Sequence, residues 1–170
     1  MLGLLFPGSY VEDVFSINYD NLYSKGYRGL IFDIDNTLVP HGADSTAQVD
    51  ELFNKLHAMG FKTLLLSNNN KERIERFTQN IDTLYIEESG KPHPASFIKA
   101  MQMMGVNKNQ VMVIGDQVFT DILGANRAHM DNILVKYIGY YKKEKKGIRR
   151  NVEKIILNLY SILRKHEKET

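Results

Sequence analysis

The sequence contains no cysteine among its 170 residues, and no apolar run approaches the length of a membrane span. The lack of cysteine excludes disulfide bonds and thiolate metal sites, while a reducing environment is allowed but not required. Because a helix needs about 20 consecutive apolar residues to cross a bilayer, we expect no membrane-spanning segment. The apolar start, MLGLLFPG, lacks a basic region and breaks at a Pro-Gly pair, so we also expect no signal peptide.

The small overall charge of +2 conceals an uneven distribution along the chain. Residues 136–170 carry 11 lysines and arginines against four acidic residues, a net charge of +7. Residues 1–135 carry 11 against 16, a net charge of −5, so the basic excess belongs to the C-terminal tail. With 43% hydrophobic and 25% charged residues the chain is typical of a globular protein, and its length suits one domain, residues 1–170.

Short apolar runs alternate with stretches of helical periodicity through the middle of the chain. The runs predicted as strands are GLIFD (29–33), KTLLLS (62–67), TLYIE (83–87), VMVIGD (111–116) and NILVK (132–136). Such runs are typical of a parallel sheet that is covered on both faces. We therefore predict an α/β fold with a doubly wound, Rossmann-like and mostly parallel sheet of about five strands. Its core covers about residues 29–136, after an N-terminal arm of residues 1–28.

Two carboxylates, Asp33 and Asp35, follow the first strand and point the same way on an extended chain. Crowding like charges costs stability unless a cation or a reaction requires them. An aspartate can act as a nucleophile and form an aspartyl phosphate, while a second carboxyl group serves as general acid and base. Mg²⁺ would bridge carboxylate and phosphate oxygens and neutralise their charge. The alternative is a turn that only caps the strand.

Further polar residues follow the later strands. Ser67 and Asn68 stand where a hydroxyl and backbone N–H groups could bind phosphate, although a Ser-Asn run is also a common helix cap. Lys91 could offset the charge of a phosphorylated carboxylate, or lie in a solvated loop. Asp116 and Asp121 are suitable oxygen ligands for Mg²⁺, and Asp121 could equally be an N-terminal helix charge. Because ligands bind outside the carboxyl ends of the strands in doubly wound sheets, we expect these residues to converge.

In order along the chain, the series Asp-x-Asp-x-Thr, Ser, Lys and Gly-Asp-x₄-Asp resembles the four signature motifs of the haloacid dehalogenase superfamily of phosphatases. The resemblance covers about residues 29–136. It implies that Asp33 is the nucleophile and that Asp35 is the general acid/base. It also implies a Mg²⁺ site formed by Asp116, Asp33 and the backbone carbonyl of Asp35.

The same resemblance implies supporting roles for five further residues. Thr37 would orient the loop of the first motif. Contacts with phosphate or phosphoaspartate would come from Ser67, Asn68 and Lys91. Asp121 would lie behind the residues that bind the metal. The nearest rival on a similar fold is the receiver domain of signalling proteins, which places its acidic pair and its phosphorylated aspartate on separate strands. A nucleic-acid-binding module that uses the basic tail is another alternative, but it leaves the aspartates unexplained. We expect no specific nucleic-acid partner.

A larger set of segments, FPGSYVEDVFSI, FDIDNTLVP, SNNN, KP and GDQVFTDILGANR, resembles the YqeG-type branch of the superfamily, which is similar to mitochondrial phosphatidylglycerophosphate phosphatases. This resemblance implies a lipid-borne phosphate monoester as substrate; a soluble or macromolecular phosphoester is the alternative. The loop LVPHGADS departs from the more charged loop expected there. The intervals between motifs leave no room for a cap domain, so a large substrate, a partner protein or a second copy of the chain would have to cover the site.

The tail predicts a basic amphipathic helix over about residues 148–166. Its apolar stripe consists of Ile148, Val152, Ile155, Ile156, Leu159, Ile162 and Leu163. The preceding basic run, with Tyr137, Tyr140 and Tyr141, suits an anionic membrane surface. The alternative is that the stripe packs on the domain and leaves the basic face in solvent. The sequence therefore predicts a cytoplasmic, Mg²⁺-dependent phosphatase that associates peripherally with the inner face of the membrane.

Overall fold

The computed structural model describes residues 2–138 and 148–166. Most of the basic run that was predicted to approach a membrane, residues 139–147 with Tyr140 and Tyr141, lies outside the described residues. Its contact with an anionic surface therefore stays a prediction.

Six strands form one sheet in the described part of the chain. They are β1 (Ser9–Val11), β2 (Gly29–Phe32), β3 (Lys62–Leu66), β4 (Leu84–Ile86), β5 (Val111–Gly115) and β6 (Asp131–Val135). Their order is β1-β6-β5-β2-β3-β4, and every neighbouring pair is parallel, which confirms the predicted α/β fold. The chain builds outward from β2 through β3 to β4 and then returns to place β5 on the other side of β2. The strand order therefore reverses between β2 and β5, where ligands bind in such folds.

Among the residues that the structure describes, six α-helices connect or flank these strands. They are α1 (Tyr19–Ser24), α2 (Ala47–Ala58), α3 (Lys71–Phe77), α4 (Pro94–Met104), α5 (Leu123–Arg127) and α6 (Ile148–His166). A π-helical turn, Val118–Ile122, leads directly into α5. Within residues 2–138 and 148–166, the segments between the strands consist of one or two short helical elements and loops, and none of them forms a separate cap domain.

The sheet has a hydrophobic core on each face, which explains why its strands read as nearly continuous apolar runs. On β2, Phe32 belongs to the core that includes Phe53 of α2, whereas its neighbour Ile31 belongs to the core that includes Phe97 of α4. Because successive side chains of a strand point to opposite faces, both faces of a central strand must be apolar. The polar side chains therefore collect at the carboxyl edge of the sheet.

The sequence predicted about five strands, but the structure adds β1, from the N-terminal arm, at the edge of the sheet beside β6. Side-chain contacts hold the arm there. Gly8 N–H donates to Asn132 Oδ1 at 3.0 Å, and Asn126 Nδ2 donates to Leu4 O at 2.8 Å. These contacts join residues more than 120 positions apart, so they leave no local signal in the sequence. The sequence pattern therefore could not reveal this strand.

Helix α6 has the predicted bounds, but its packing face is not the predicted stripe. Ile156 and Leu157 pack with Val118 and Phe6 against the end of the sheet. Glu153 Oε1 accepts a hydrogen bond from Val118 N–H at 3.1 Å, which ties the helix to the π-helical turn. Of the predicted stripe residues whose side chains the structure describes, only Ile156 is buried.

The other described stripe residues face solvent. Their exposed fractions are 39% for Val152, 59% for Ile155, 44% for Leu159 and 53% for Ile162. Packing on the domain therefore does not account for these four residues, and an external partner for them stays a prediction. No helix in the described part of the chain is both long and apolar enough to cross a bilayer.

Candidate active site

Strand β2 carries the first two aspartates to the carboxyl edge of the sheet. Asp33 N–H donates to Ile114 O of β5 at 3.0 Å, which continues the strand pairing to the point where the chain leaves the sheet. Asn36 then adopts a left-handed conformation (φ 65°), which asparagine tolerates better than most residues. The chain turns back there, and Asn36 N–H donates to Val39 O at 2.7 Å. This turn holds Asp33 and Asp35 close to the end of β5.

The ammonium group of Lys91 joins two buried carboxylates. Its Nζ donates to Asp33 Oδ1 at 2.6 Å, to Asp121 Oδ1 at 2.7 Å and to Leu66 O at 2.7 Å. Only 8% of Lys91 is exposed, so the solvated-loop alternative does not apply. Burial alone would lower the pKa of Lys91, but Asp121 and Asp33 raise it above its ordinary value. Burial raises the pKa of Asp33 to about 6, although Lys91 acts in the opposite direction.

Asp121 reaches this cluster from the π-helical turn that follows β5. Turns of this kind are frequent at functional sites. Asp121 Oδ2 accepts a hydrogen bond from Gln117 N–H at 3.1 Å. Gly115 permits the close approach, because a Cβ at that position would lie 2.4 Å from Asp121 Cγ. Any side chain at position 115 would therefore displace the carboxylate, which explains the glycine in the Gly-Asp pair.

Asp33, Asp116 and Asp121 form a cluster in which each offers a carboxylate oxygen within 4.8 Å of the others. Thr37 Oγ1 lies 3.3 Å from both Asp33 Oδ2 and Asp116 Oδ1 and so links two of them. Buried carboxylates require positive charge nearby, and carboxylate oxygens are the ligands that Mg²⁺ prefers.

The donor set of these carboxylates therefore fits a divalent cation. Asp121 belongs to the cluster, but its two oxygens accept hydrogen bonds from Lys91 Nζ and Gln117 N–H, so its place behind the metal ligands stays a prediction. The backbone carbonyl of Asp35 as a ligand stays a prediction.

Asp35 has different surroundings from Asp33. Its Oδ1 accepts hydrogen bonds from Gly42 N–H and from Arg73 Nη2, both at 2.9 Å, and its Oδ2 accepts one from Asn69 Nδ2 at 2.6 Å. Burial alone would raise the pKa of Asp35, but the hydrogen bonds from Gly42, Asn69 and Arg73 outweigh it and lower the pKa. Asp35 is therefore held as a carboxylate.

Two arginines of α3 attach the loop of residues 41–45 to the site. Arg73 Nη2 also donates to Ala43 O at 2.7 Å, while Arg76 Nη2 donates to Gly42 O at 2.9 Å. This loop belongs to the segment LVPHGADS, which carries less charge than the family resemblance led us to expect. Arg73 and Arg76 of α3 bring positive charge to it from another part of the chain.

Asn69 and Arg73 were not among the predicted site residues. The sequence does contain a signal for Arg73. A cation in the first turn of a helix is unfavourable beside the positive end of the helix dipole, so a nearby anion is expected to compensate it.

Ser67 and Asn68 line the same cavity as Lys91, while their contact with phosphate stays a prediction. Ser67 is buried, and its hydroxyl accepts a hydrogen bond from Asn69 N–H at 3.2 Å. It is not the cap of the next helix, because Asn70 caps α3. Asn68 Oδ1 accepts a hydrogen bond from Lys91 N–H at 3.0 Å and so positions the loop that carries the lysine.

The side chains that converge at this edge line a polar cavity of about 140 Å³. Gln117 and Thr120 of the segment after β5 complete its wall. All the predicted catalytic and phosphate-binding residues except Thr37 line this cavity. The hydroxyl of Thr37 contacts the carboxylates of Asp33 and Asp116. The cavity is below the usual size of a pocket for a drug-sized ligand, and its volume suits a phosphoryl group better than a whole substrate.

Residues 43–129 match the family model of the haloacid dehalogenase-like hydrolases. The chain is 33% identical over 153 residues to the probable phosphatase YqeG of Bacillus subtilis, and the match covers 89% of each chain. It is 31% identical over 101 residues to the phosphoglycolate phosphatase of Psychrobacter arcticus, covering 54% of this chain and 43% of that protein. The crystal structure of an uncharacterized protein from Listeria monocytogenes serotype 4b shares the fold, with a TM-score of 0.54, 19% identity and coverage of 79% of this chain and 99% of that chain.

Divalent cations should stabilise the protein through the carboxylate cluster. At 100 times the dissociation constant, a ligand of the native state adds about 2.7 kcal/mol, which raises the melting temperature of a chain of this length by roughly 5–10 °C. We expect this rise on adding Mg²⁺ to chelator-treated protein, and its loss in Asp116→Asn. The matched control Asp82→Asn, at an exposed position, should keep the rise. A rise of equal size in Asp116→Asn would contradict the site.

Removing the Arg73 guanidinium should raise the pKa of Asp35. A depressed carboxyl pKa contributes stability above the unfolded-state value of about 3.9, and this contribution is lost as the pH falls through the folded-state pKa. In Arg73→Met we expect the carboxyl titration of Asp35, followed by ¹³C NMR, to move to higher pH. Arg76→Met removes a similar side chain from the same helix without a direct contact to Asp35, so its titration should match the wild type. Equal titrations in all three proteins would reject the assigned cause.

Proposed function

The chain belongs to the haloacid dehalogenase-like hydrolases, and we propose that it is a Mg²⁺-dependent phosphatase that acts through an aspartyl-phosphate intermediate. The observation that carries this proposal is the buried contact of Lys91 with Asp33 inside a cluster of carboxylates. A lysine in that position can balance the charge of a phosphoryl group attached to the aspartate. The likeness to the phosphatase YqeG over most of the chain supports the same reaction class.

In the first step, a carboxylate oxygen of Asp33 attacks the phosphorus atom of the ester. The bond from phosphorus to the ester oxygen breaks, and Asp35 gives that oxygen a proton so that it leaves as an alcohol. Lys91 holds the other oxygen of Asp33 and fixes its orientation. A divalent cation bound by Asp33, Asp116 and the carbonyl of Asp35 would neutralise charge on the transferring group.

In the second step, water attacks the phosphorus atom of the aspartyl phosphate, and Asp35 takes the proton of that water. Inorganic phosphate leaves, and the Asp33 carboxylate is restored. The hydrogen bonds from Arg73 and Asn69 favour the ionised form of Asp35, which suits this step. The first step needs Asp35 protonated, so these two contacts must weaken when substrate binds.

We infer that the substrate is a lipid-borne phosphate monoester, with phosphatidylglycerophosphate as the first candidate. Two features support this choice: the described chain has no cap domain over the polar cavity, and α6 presents an exposed apolar stripe. A soluble phosphoester is the second candidate. The likeness to a protein named as a phosphoglycolate phosphatase favours it, although that match covers only 54% of this chain.

Replacing the nucleophile should abolish turnover while the fold is retained. We expect the wild type to release phosphate from phosphatidylglycerophosphate in mixed micelles faster than from soluble monoesters, and to stop when a chelator is added. In Asp33→Asn the rate should fall by at least about 10³-fold, because the covalent route is lost. Circular dichroism checks that the variant is folded.

The matched control for this variant is Asp82→Asn, which should keep the wild-type rate. Steady turnover by Asp33→Asn above that of a mock purification would reject the nucleophile. Activity on soluble esters alone would keep the mechanism and reject the lipid substrate.

We also propose that the exposed stripe of α6 rests on an anionic membrane surface. The stripe is apolar, and the segment that carries it has a net charge of +7 over residues 136–170. An interfacial helix gains affinity from buried apolar area and from the attraction of basic residues to anionic lipids. This placement would keep the enzyme at the surface where a lipid phosphate is presented.

The double variant Ile155→Asn/Leu159→Asn should bind less well to vesicles that contain phosphatidylglycerol. The matched control is Ile98→Asn/Leu84→Asn, which makes the same changes at residues that are 40% and 43% exposed elsewhere on the surface. We expect the stripe variant to lose at least about tenfold in co-sedimentation, because each side chain loses apolar contact with lipid. Equal losses in both variants, or none in either, would reject the membrane role of the stripe.

A further inference from the structure

A second cavity, of about 260 Å³, lies between α6 and the carboxyl ends of β1 and β6. Its wall is mostly apolar and includes Val118, Leu134, Val135 and Leu157, with the rings of Tyr10 and Tyr137. The proposed reaction of the carboxylates does not involve this cavity, and the packing of the two cores leaves it open.

This cavity adjoins the catalytic residues through Asp116. The residue forms part of the wall of the apolar cavity and is also a member of the carboxylate cluster with Asp33. The backbone makes a second connection, because Ile138 N–H donates to Asn36 O at 3.3 Å, and Asn36 lines the polar cavity. The apolar cavity therefore adjoins the carboxylate cluster beside the polar cavity.

Helix α6 is held in place as the outer wall of the apolar cavity. Glu153 and Leu157 of this helix both line it, and Glu153 accepts the hydrogen bond of Val118 N–H two residues after Asp116. The hydrogen bond between Glu153 and Val118 therefore holds the α6 wall of the cavity close to Asp116.

We propose that the apolar cavity binds the aliphatic part of the substrate while its phosphate occupies the polar cavity. The enzyme would then take phosphate monoesters whose alcohol part includes an aliphatic segment that reaches the apolar cavity. This inference rests on the proposed function, and it goes beyond it by assigning a site and residues to the apolar part of the substrate. Pockets that enclose a drug-sized ligand measure about 300–1,000 Å³, so this one holds a segment of a chain and leaves the rest outside.

Lys154 stands at the same cavity and is exposed. A lysine places its methylenes along apolar surface and keeps its ammonium group in water, so it suits the rim of a cavity that receives an amphiphile. Tyr10 and Tyr137 combine an apolar ring with a polar tip in the same way.

The test is the dependence of kcat/KM on chain length for methyl, butyl, hexyl and octyl phosphate, each below its micelle concentration. Burial of one methylene changes affinity by roughly three- to fourfold. We expect kcat/KM to rise by about that factor per methylene and then to level off when the cavity is full. Monomeric esters separate this site from the membrane surface, because no bilayer is present.

Leu157→Asn should flatten this dependence, because it places a polar group in the apolar wall. Leu84→Asn makes the same change on the opposite edge of the sheet, at a residue that is 43% exposed, and should keep the wild-type dependence. Tyr10→Ser is a second cavity variant, with Tyr85→Ser as its control, in case Leu157→Asn fails to fold. A dependence equal to wild type in both cavity variants would overturn the assignment.

The outcomes separate this inference from the proposed function. Turnover of all four esters at one kcat/KM would keep the phosphatase and overturn the cavity. If none of the four esters is hydrolysed, calorimetry with the matching alkylphosphonates tests the cavity alone, and phosphate release from phosphatidylglycerophosphate decides whether the proposed function stands. Binding that tightens with chain length in the wild type, but not in Leu157→Asn, supports the cavity, and binding without length dependence overturns it.

A further comparison identifies the kind of substrate. Hydrolysis of phosphatidic acid in vesicles would show that the aliphatic chain belongs to a bilayer lipid, and hydrolysis of monomeric esters alone would show that it belongs to a soluble amphiphile.

Discussion

One buried lysine between carboxylates is the interaction on which the rest of the site depends. Lys91 contacts Asp33 and Asp121 directly, and Asp116 lies in the same cluster. Buried carboxylates are costly unless positive charge lies close to them, and Lys91 supplies such a charge. The fold brings these groups together, because β2 and β5 end side by side where the strand order reverses. Gly115 then allows the third carboxylate to approach.

The two aspartates of the first motif show how one short loop supports two chemical roles. Burial raises the pKa of Asp33, while hydrogen bonds from Gly42, Asn69 and Arg73 lower the pKa of Asp35. Residues that are two positions apart therefore have pKa shifts of opposite sign. Environments that separate the pKa values of neighbouring titratable groups are typical of active sites. The arginine of α3 thus connects the loop of residues 41–45 to the carboxylate of Asp35.

Much of this arrangement could be predicted from the sequence. Apolar runs predicted five of the six strands, and the residues after them converge because parallel strands share a carboxyl edge. The missed features are non-local. Arg73 contacts Asp35 across 38 positions, and β1 pairs with β6 near the far end of the chain. For α6 the periodicity predicted the bounds but not the packing face, which Glu153 and Leu157 define together with Ile156.

The most direct test of the account is a rapid-quench experiment under single-turnover conditions, with the acid-quenched protein digested and its peptides identified by mass spectrometry. The account predicts a transient phosphoryl group on the peptide that contains Asp33, which forms and decays at rates compatible with turnover. The same peptide from Asp33→Asn should carry none. Phosphate release at the normal rate without phosphorylation of Asp33, or with the phosphoryl group on another residue, would contradict it.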